Sequence, residues 1–169
     1  MDEIAVLIEP HIPALRRYAW ALLRDDDAAD DLVQDCLERA LDRWHLQRRD
    51  GDLRAWLFAI QRNLFLNGLR QQARRGRHIS MAVLADQPSR EQSQDSRLAM
   101  RDILAALDSL PEEQRSALLL IGVEDLSYEA AARILGVPVG TIMSRLSRGR
   151  EKLRRLLGSE PRAALRSVK

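Results

Sequence analysis

The chain has 169 residues, 46% hydrophobic and 31% charged, with a formal net charge of only +2. That is enough apolar material for one or two small cores, which excludes wholesale disorder. The single Cys36 rules out an intrachain disulfide, the scattered His11, His45 and His78 argue against a zinc site, and no apolar run approaches a membrane span.

The N-terminus carries no basic-then-apolar signal, so a soluble cytoplasmic protein with no membrane insertion is expected. The small net charge hides an uneven distribution. Asp25 to Arg43 holds eight acidic residues and two basic ones, whereas Arg70 to Arg77 holds four arginines and no acid. Separate acidic and basic surfaces imply more than one partner.

Ile4 to Leu23 reads as a helix broken or bent near Pro10 and Pro13, with Leu15, Tyr18, Ala19, Leu22 and Leu23 at helical spacing. Arg24-Asp25-Asp26-Asp27 is a polar break whose aspartates suit a helix N-cap. A second helix, about 28–44, places Ala29, Leu32, Val33, Cys36, Leu37, Ala40, Leu41 and Trp44 on one stripe. Asp31, Gln34, Asp35, Glu38 and Asp42 fall elsewhere, which a solvated acidic face would explain equally well. Cys36 within the stripe reads as a small buried apolar residue.

His45 to Asp52 is a charged loop closed by the turn signal Asp50-Gly51-Asp52. A third helix runs from about Leu53 to Arg75. Leu53, Trp56, Leu57, Ile60, Leu64, Asn67 and Gly68 share or border its apolar face, and Arg54, Arg62, Asn63, Arg70, Arg74 and Arg75 form its basic side. Aromatics beside Arg and Asn suit single-stranded nucleic acid, although aromatics on a helix are more often core.

Residues 76–97 read as a linker, nearly devoid of apolar residues from Pro88 to Ser96 but more apolar from Ile79 to Ala85. A helix is expected over Leu98–Ser109. Ser109-Leu110-Pro111-Glu112 then has capping-box spacing and starts a helix to about Val123. Residues 127–157 follow: a short helix opening on the N-cap Ser127, a break at Gly136-Val137-Pro138, and a second helix, about 139–157. That helix is apolar at Ile142, Leu146, Leu153, Leu156 and Leu157, and basic at Arg145, Arg148, Arg150, Lys152, Arg154 and Arg155. This is the helix-turn-helix pattern, though an ordinary hairpin with a basic face would share it. Gly149 within the second helix suits a close backbone approach to DNA or a frayed end. The tail, 159–169, is short and basic. With no strand pattern and no repeat, the expected fold is all-α: two small helical domains joined by a flexible linker, the C-terminal one a helix-turn-helix domain.

Four motifs in order carry a family resemblance: Asp30-Asp31-Leu32-Val33-Gln34-Asp35; Leu53-Arg54-Ala55-Trp56-Leu57 with Ile60-Gln61-Arg62-Asn63; Ser109-Leu110-Pro111-Glu112-Glu113-Gln114-Arg115; and 126–132 with 138–146. Together they resemble the bacterial RNA polymerase sigma factors of the extracytoplasmic function (ECF) group, over almost the whole chain. The resemblance implies a region 2-like domain at 1–75, a linker at 76–97, a region 4-like domain at 98–158 and a tail at 159–169. It implies core RNA polymerase and promoter DNA as partners and an anti-sigma factor as regulator, with no cofactor and no small-molecule substrate.

The same resemblance assigns residues. Asp31, Gln34 and Asp35 would dock on the polymerase. Asn63 would meet a flipped base of the −10 strand, with Arg54, Arg70, Arg74 and Arg75 on its backbone. The loop 45–52 would capture the base, but it has Gln47 where an aromatic is common. Met143, Ser144, Ser147 and Arg148 would face −35 base edges, and Ser127, Tyr128, Arg145 and Arg150 would contact phosphate. Three other readings stay open. A sigma-like decoy would keep the amphipathic helices and lose the basic readers. A conventional helix-turn-helix regulator would not explain the two N-terminal motifs. An enzyme would need a metal cluster, a nucleophile–base arrangement or a phosphate-cradling loop, and the sequence offers none.

Overall fold

A computed structural model describes residues 2–47, 51–76 and 94–158. Among them every regular element is helical. The chain divides into two compact units, Met1–Ala85 and Asp86–Lys169. Residues 77–93 of the expected 76–97 linker, with its apolar piece 79–85, the loop positions 48–50 and the basic tail lie outside the described residues.

The first unit is built from α1 (Asp2–Ile8), α2 (Ile12–Leu23), α3 (Asp26–Asp42) and α4 (Leu53–Arg74), with short 3-10 turns at Glu9–His11 and Trp44–Leu46. The expected break near Pro10 is the first of these turns, and Pro13 sits in the first turn of α2, where its missing N–H costs nothing. Arg24 ends α2 at φ 54°, its guanidinium lying 5.0 Å above the Trp20 ring. Asp25 is the aspartate that caps α3, accepting the Ala28 amide at 2.7 Å, and Asp52 caps α4 by accepting the Ala55 amide at 3.0 Å. Each cap satisfies an amide that would otherwise lack a partner, typically stabilising by about 1 kcal/mol.

The core of this unit is Leu15, Tyr18, Ala19, Val33, Cys36, Ala40, Leu57, Phe58 and Phe65. Tyr18 and Phe58 pack edge to face with centroids 5.2 Å apart. The Gln61 amide donates to the Leu15 carbonyl at 2.9 Å, tying α4 to α2. Burial pushes the Cys36 thiol up to about 12, consistent with a packing role.

The inward face of α4 differs from the expected one. It is formed by Ala55, Leu57, Phe58, Ile60, Gln61, Arg62 and Phe65. Arg62, expected on the basic outer side, is buried, and Trp56 and Leu64 are only half-buried. The apolar residues of α4 wrap much of its circumference, so periodicity defined the seam poorly. The two phenylalanines and the Gln61–Leu15 bond decide it.

The second unit contains α5 (Gln94–Asp108), α6 (Glu112–Leu118) continuing into a π-helical turn at Leu119–Val123, α7 (Tyr128–Leu135) and α8 (Val139–Leu157). Three expectations change here. α5 begins four residues before Leu98, inside the polar stretch, with Asp95 in its first turn where a carboxylate favours the helix dipole. The Ser109 capping box does not form: Pro111 is the N-cap of α6, and the Ser109 hydroxyl donates back to the Ala106 carbonyl at 2.7 Å. The helix to Val123 widens over its last turn, where the Glu124 amide reaches the Leu119 carbonyl at 3.0 Å. Leu118, Leu119 and Leu120 are all fully buried. Three consecutive residues span most of a helix circumference, so this segment is enclosed on nearly all sides.

Candidate nucleic-acid interface

In α3 the inward positions are Ala29, Leu32, Val33, Cys36 and Ala40. Asp31, Gln34 and Asp35 are all exposed on the opposite side, joined by Glu38 at the same three- and four-residue spacing. Gln34 Nε2 donates to Glu38 Oε1 at 3.1 Å, so this face is a connected polar stripe. Neighbouring Asp30 is held by Arg16 at 2.7 Å.

Asn63, Arg70 and Arg74 are exposed on one outward stripe of α4, at steps of seven and four residues. Asn67 shares the stripe and is also exposed. The sequence pattern sets it at the border of the apolar face, yet its spacing of four from Asn63 and three from Arg70 aligns it with them. Arg75 is exposed just past the helix end, as its C-cap. Arg54 stands apart, nine residues and about 13 Å of helix rise before Asn63. Its guanidinium is 5.6 Å from the Phe58 ring centre, on the core side of the helix. His11 is near it: burial and the Arg54 charge lower its pKa from the ordinary 6.5, partly opposed by Asp52. Trp44 and Trp56, both half-buried, meet edge to face with centroids 6.1 Å apart beside the loop that follows.

The helix-turn-helix of the second unit is built by its caps. Ser127 Oγ accepts the Ala130 amide at 3.1 Å and starts α7. Gly136 ends it at φ 65°, and the Val137 amide reaches back to the Ala132 carbonyl at 3.1 Å. A left-handed residue without a Cβ followed by Pro138 stops one helix sharply and opens the next. α8 buries Ile142, Leu146, Gly149 and Leu153.

Met143, Ser144, Ser147 and Arg148 are exposed, Met143 at 55%. Ser144, Ser147 and Arg148 lie directly opposite the buried seam, and Met143 lies on one flank. Ser144 Oγ donates to the Thr141 carbonyl at 3.0 Å, which leaves its oxygen to accept. Ser127 uses its oxygen as a cap and keeps its proton for donation, and Tyr128 beside it is half-buried.

The cations of α8 divide into groups that the sequence did not separate. Arg145 is only 18% exposed and lies 3.9 Å from Glu113 at the start of α6. Lys152 donates to the Ser109 carbonyl at 2.8 Å. Gly149, between them, faces α6 so closely that an added Cβ would lie 2.7 Å from Leu118 Cδ1. Positions 145, 149 and 152 therefore seat one flank of α8 on its neighbours. Gly149 thus serves helix packing, not DNA approach or fraying. Arg154 and Arg155 both pair with Glu151. Among the described residues Arg148 and Arg150 have no ion-pair partner, and Arg150 is half-buried.

No group of His, Cys, Asp or Glu among the described residues could hold a metal ion, and no described helix is long and apolar enough to cross a membrane.

Comparison with known families matches residues 8–61 to the family described as the Sigma2 domain of PhyR, and residues 100–153 to Sigma-70, region 4. These two matches, one in each helical unit, define a transcription initiation factor of the sigma-70 class. Among individual proteins, the chain is 43% identical over 149 residues to the ECF RNA polymerase sigma factor EcfG of Rhodopseudomonas palustris, covering 86% of this chain and 80% of that protein. It is 41% identical over 157 residues to the ECF RNA polymerase sigma factor SigE of Mycolicibacterium smegmatis, covering 88% of this chain and 59% of that one. Among solved structures it resembles the sigma factor RpoE in complex with the anti-sigma factor NepR from Bartonella quintana. That match has 36% identity and a TM-score of 0.84, covering 95% of this chain and 99% of that one. The chain belongs to the ECF RNA polymerase sigma factors. Its function is to bind core RNA polymerase and direct promoter-specific initiation through −10 and −35 elements.

Proposed function

We propose that the two units divide this work by the faces described above. The polar stripe of α3, with Asp31, Gln34 and Asp35, docks on core polymerase through charge-assisted contacts that set register and orientation. The outward stripe of α4 holds the −10 strand: Asn63 meets an unstacked base, and Arg70, Arg74 and Arg75 follow the backbone. Arg54, at the other end of the helix, serves the strand near the 45–52 loop. In the second unit Ser144, Ser147 and Arg148 read −35 base edges, Met143 offers an apolar contact beside them, and Ser127 and Tyr128 meet phosphate at the start of α7. Arg148 supplies the main direct discrimination, since a bidentate guanidinium–guanine pair is worth about 1–3 kcal/mol. Arg150 takes a flanking phosphate, and Arg145 contributes by seating α8.

The observation that supports this reading is the exposure of Ser144, Ser147 and Arg148 on α8 opposite the buried Ile142–Leu146–Gly149–Leu153 seam. Residues 1–75 and 98–158, the latter extended back to Gln94 by α5, are the working domains, joined by the segment between them. The protein has no chemistry of its own and works in the cytoplasm beside the polymerase that does. An anti-sigma factor controls it, by analogy with the Bartonella complex. The polymerase-binding face of α3 is a natural target for such a partner.

Run-off transcription with core polymerase on fragmented genomic DNA tests the whole reading. Discrete transcripts sharing a two-part upstream motif are expected. Absence of any specific transcript would overturn it.

A further inference from the structure

Ser144, Ser147, Arg148 and Glu151 occupy positions i, i+3, i+4 and i+7 of α8, one stripe along the helix. The fourth member is an acid. Glu151 continues the line of reader side chains, where a phosphate-binding helix would be expected to carry a cation. Both of its oxygens are engaged: Oε1 accepts from Arg155 Nε at 3.0 Å, and Oε2 accepts from Arg154 Nη1. One carboxylate thus holds two of the cations nearest the end of the helix.

We propose that Glu151 is a specificity-determining residue that keeps Arg154 and Arg155 off the phosphate backbone, so that α8 grips duplex DNA through its first turns only. This rests on the reading of α8 as the −35 helix. The reason is electrostatic. Phosphate contacts are blind to sequence and strengthen every duplex equally, whereas base contacts distinguish one from another. A helix with six basic residues and few strong readers would bind DNA indiscriminately if all six reached phosphate. Arg145 is drawn onto α6 and Lys152 onto the turn that follows α5, and Glu151 neutralises half of the charge on Arg154 and Arg155. It also adds its own repulsion toward phosphate on the DNA-facing stripe. What remains facing DNA is a short polar surface with Arg148 as its main cation.

The test needs no knowledge of the promoter. Binding of the full chain to a short mixed-sequence duplex is followed by fluorescence anisotropy at stepped salt concentrations. Glu151→Gln keeps the size and removes the charge. If it frees both arginines for phosphate, the slope of log affinity against log salt steepens by about 1.8, at about 0.9 per contact. The affinity gain over the unmodified chain is then about 12-fold larger at about 50 mM than at about 200 mM salt. Glu151→Gln combined with Arg154→Ala and Arg155→Ala returns the slope to its starting value. Asp102→Asn removes one exposed acid from α5 and leaves the slope unchanged. An unchanged slope in Glu151→Gln, or an equal steepening in Asp102→Asn, overturns the proposal. Arg150→Ala, which removes the cation assigned to a flanking phosphate, separates this from the broader reading: it should flatten the slope by about 0.9. If it has no effect, the assignment of α8 to DNA fails; if it acts and Glu151→Gln does not, only the role of Glu151 fails.

Discussion

Replacing Gly149 with alanine tests the packing of α8 most directly. Glycine in a helix interior ordinarily costs about 1 kcal/mol relative to alanine, so the substitution should stabilise an open helix. Here the added Cβ would lie 2.7 Å from Leu118 Cδ1 and 3.3 Å from its Cγ. Leu118 is fully buried, and at the packing density of a protein interior such a side chain gives way only at a cost. Overpacking of this kind costs about 1–3 kcal/mol, which exceeds the propensity gain. Gly149→Ala should therefore destabilise the second unit by about 1 kcal/mol, a fall in Tm of about 4–8 °C for a unit of this size. Gly140, with nothing within 4 Å of its would-be Cβ, is the reference, and alanine there should stabilise by up to about 1 kcal/mol.

The composition supplies an internal control for the assay. All three tryptophans, Trp20, Trp44 and Trp56, lie in the first unit. Thermal unfolding followed by far-ultraviolet circular dichroism should show the shift, while the tryptophan fluorescence transition stays fixed. Leu118→Ala costs stability by itself, about 2–5 kcal/mol, but removes the obstructing atoms. In that background Gly149→Ala should become stabilising, a coupling that a double-mutant cycle isolates. If Gly149→Ala stabilises the parent chain as Gly140→Ala does, close packing of α8 on α6 is refuted.

Three further outcomes follow from the faces of α3 and α4 and from the N-terminal segment. Asp31→Ala with Asp35→Ala deletes two exposed carboxylates on the side of α3 opposite its buried residues. Binding to core polymerase should weaken by about 3–6 kcal/mol in a pull-down while the circular dichroism spectrum is retained, and undiminished affinity would remove α3 from that interface. Asn63→Ala should lower open-complex formation, read by permanganate reactivity, far more than −35 duplex binding; equal losses would count against its place on the melted strand. His11 has its pKa lowered in the folded chain, so below about pH 6.5 the unfolded chain takes up a proton that the folded one resists. Stability read by tryptophan fluorescence should fall as pH drops through that range, and His11→Gln should flatten this part of the profile.

The sequence disclosed most where one local rule decides the outcome. Asp25, Ser127, Gly136 and Pro138 act as the cap and turn residues their chemistry implies, and the α3 stripe is cleanly amphipathic, so helix identity and the acidic face were legible. It disclosed least where two elements compete for one side chain. Arg62 and Arg145 are arginines on faces that read as basic, yet one is buried and the other leans on Glu113. Ser109 had both a preceding helix to close and a following one to open, and closed the first. Gly149 was ambiguous for the same reason: what decides its role is Leu118, thirty-one positions away, and no spacing rule within α8 encodes it. The apolar neighbours of Asn67 draw it toward the core face in the sequence pattern, although its spacing to Asn63 and Arg70 points outward.

The division of cations on α8 bears on how a sigma factor reaches a promoter. Discrimination of a specific site from bulk DNA typically requires about 4–10 kcal/mol. One bidentate arginine contributes about 1–3 kcal/mol, and serines that can pair with several bases contribute little. The second unit therefore falls short on its own, and adding phosphate contacts would strengthen wrong sites as much as right ones. The remaining discrimination has to come from a second reading event that is conditional on the first. On the proposed reading the exposed stripe of α4 provides one, because a base would be available to Asn63 only where the duplex has opened. Binding both elements through one chain on one polymerase converts the second contact into an intramolecular step, favoured by a raised effective concentration. Under that arrangement a weak, selective α8 is preferable to a strong one: it can leave a mismatched −35 element before the first unit has captured a strand.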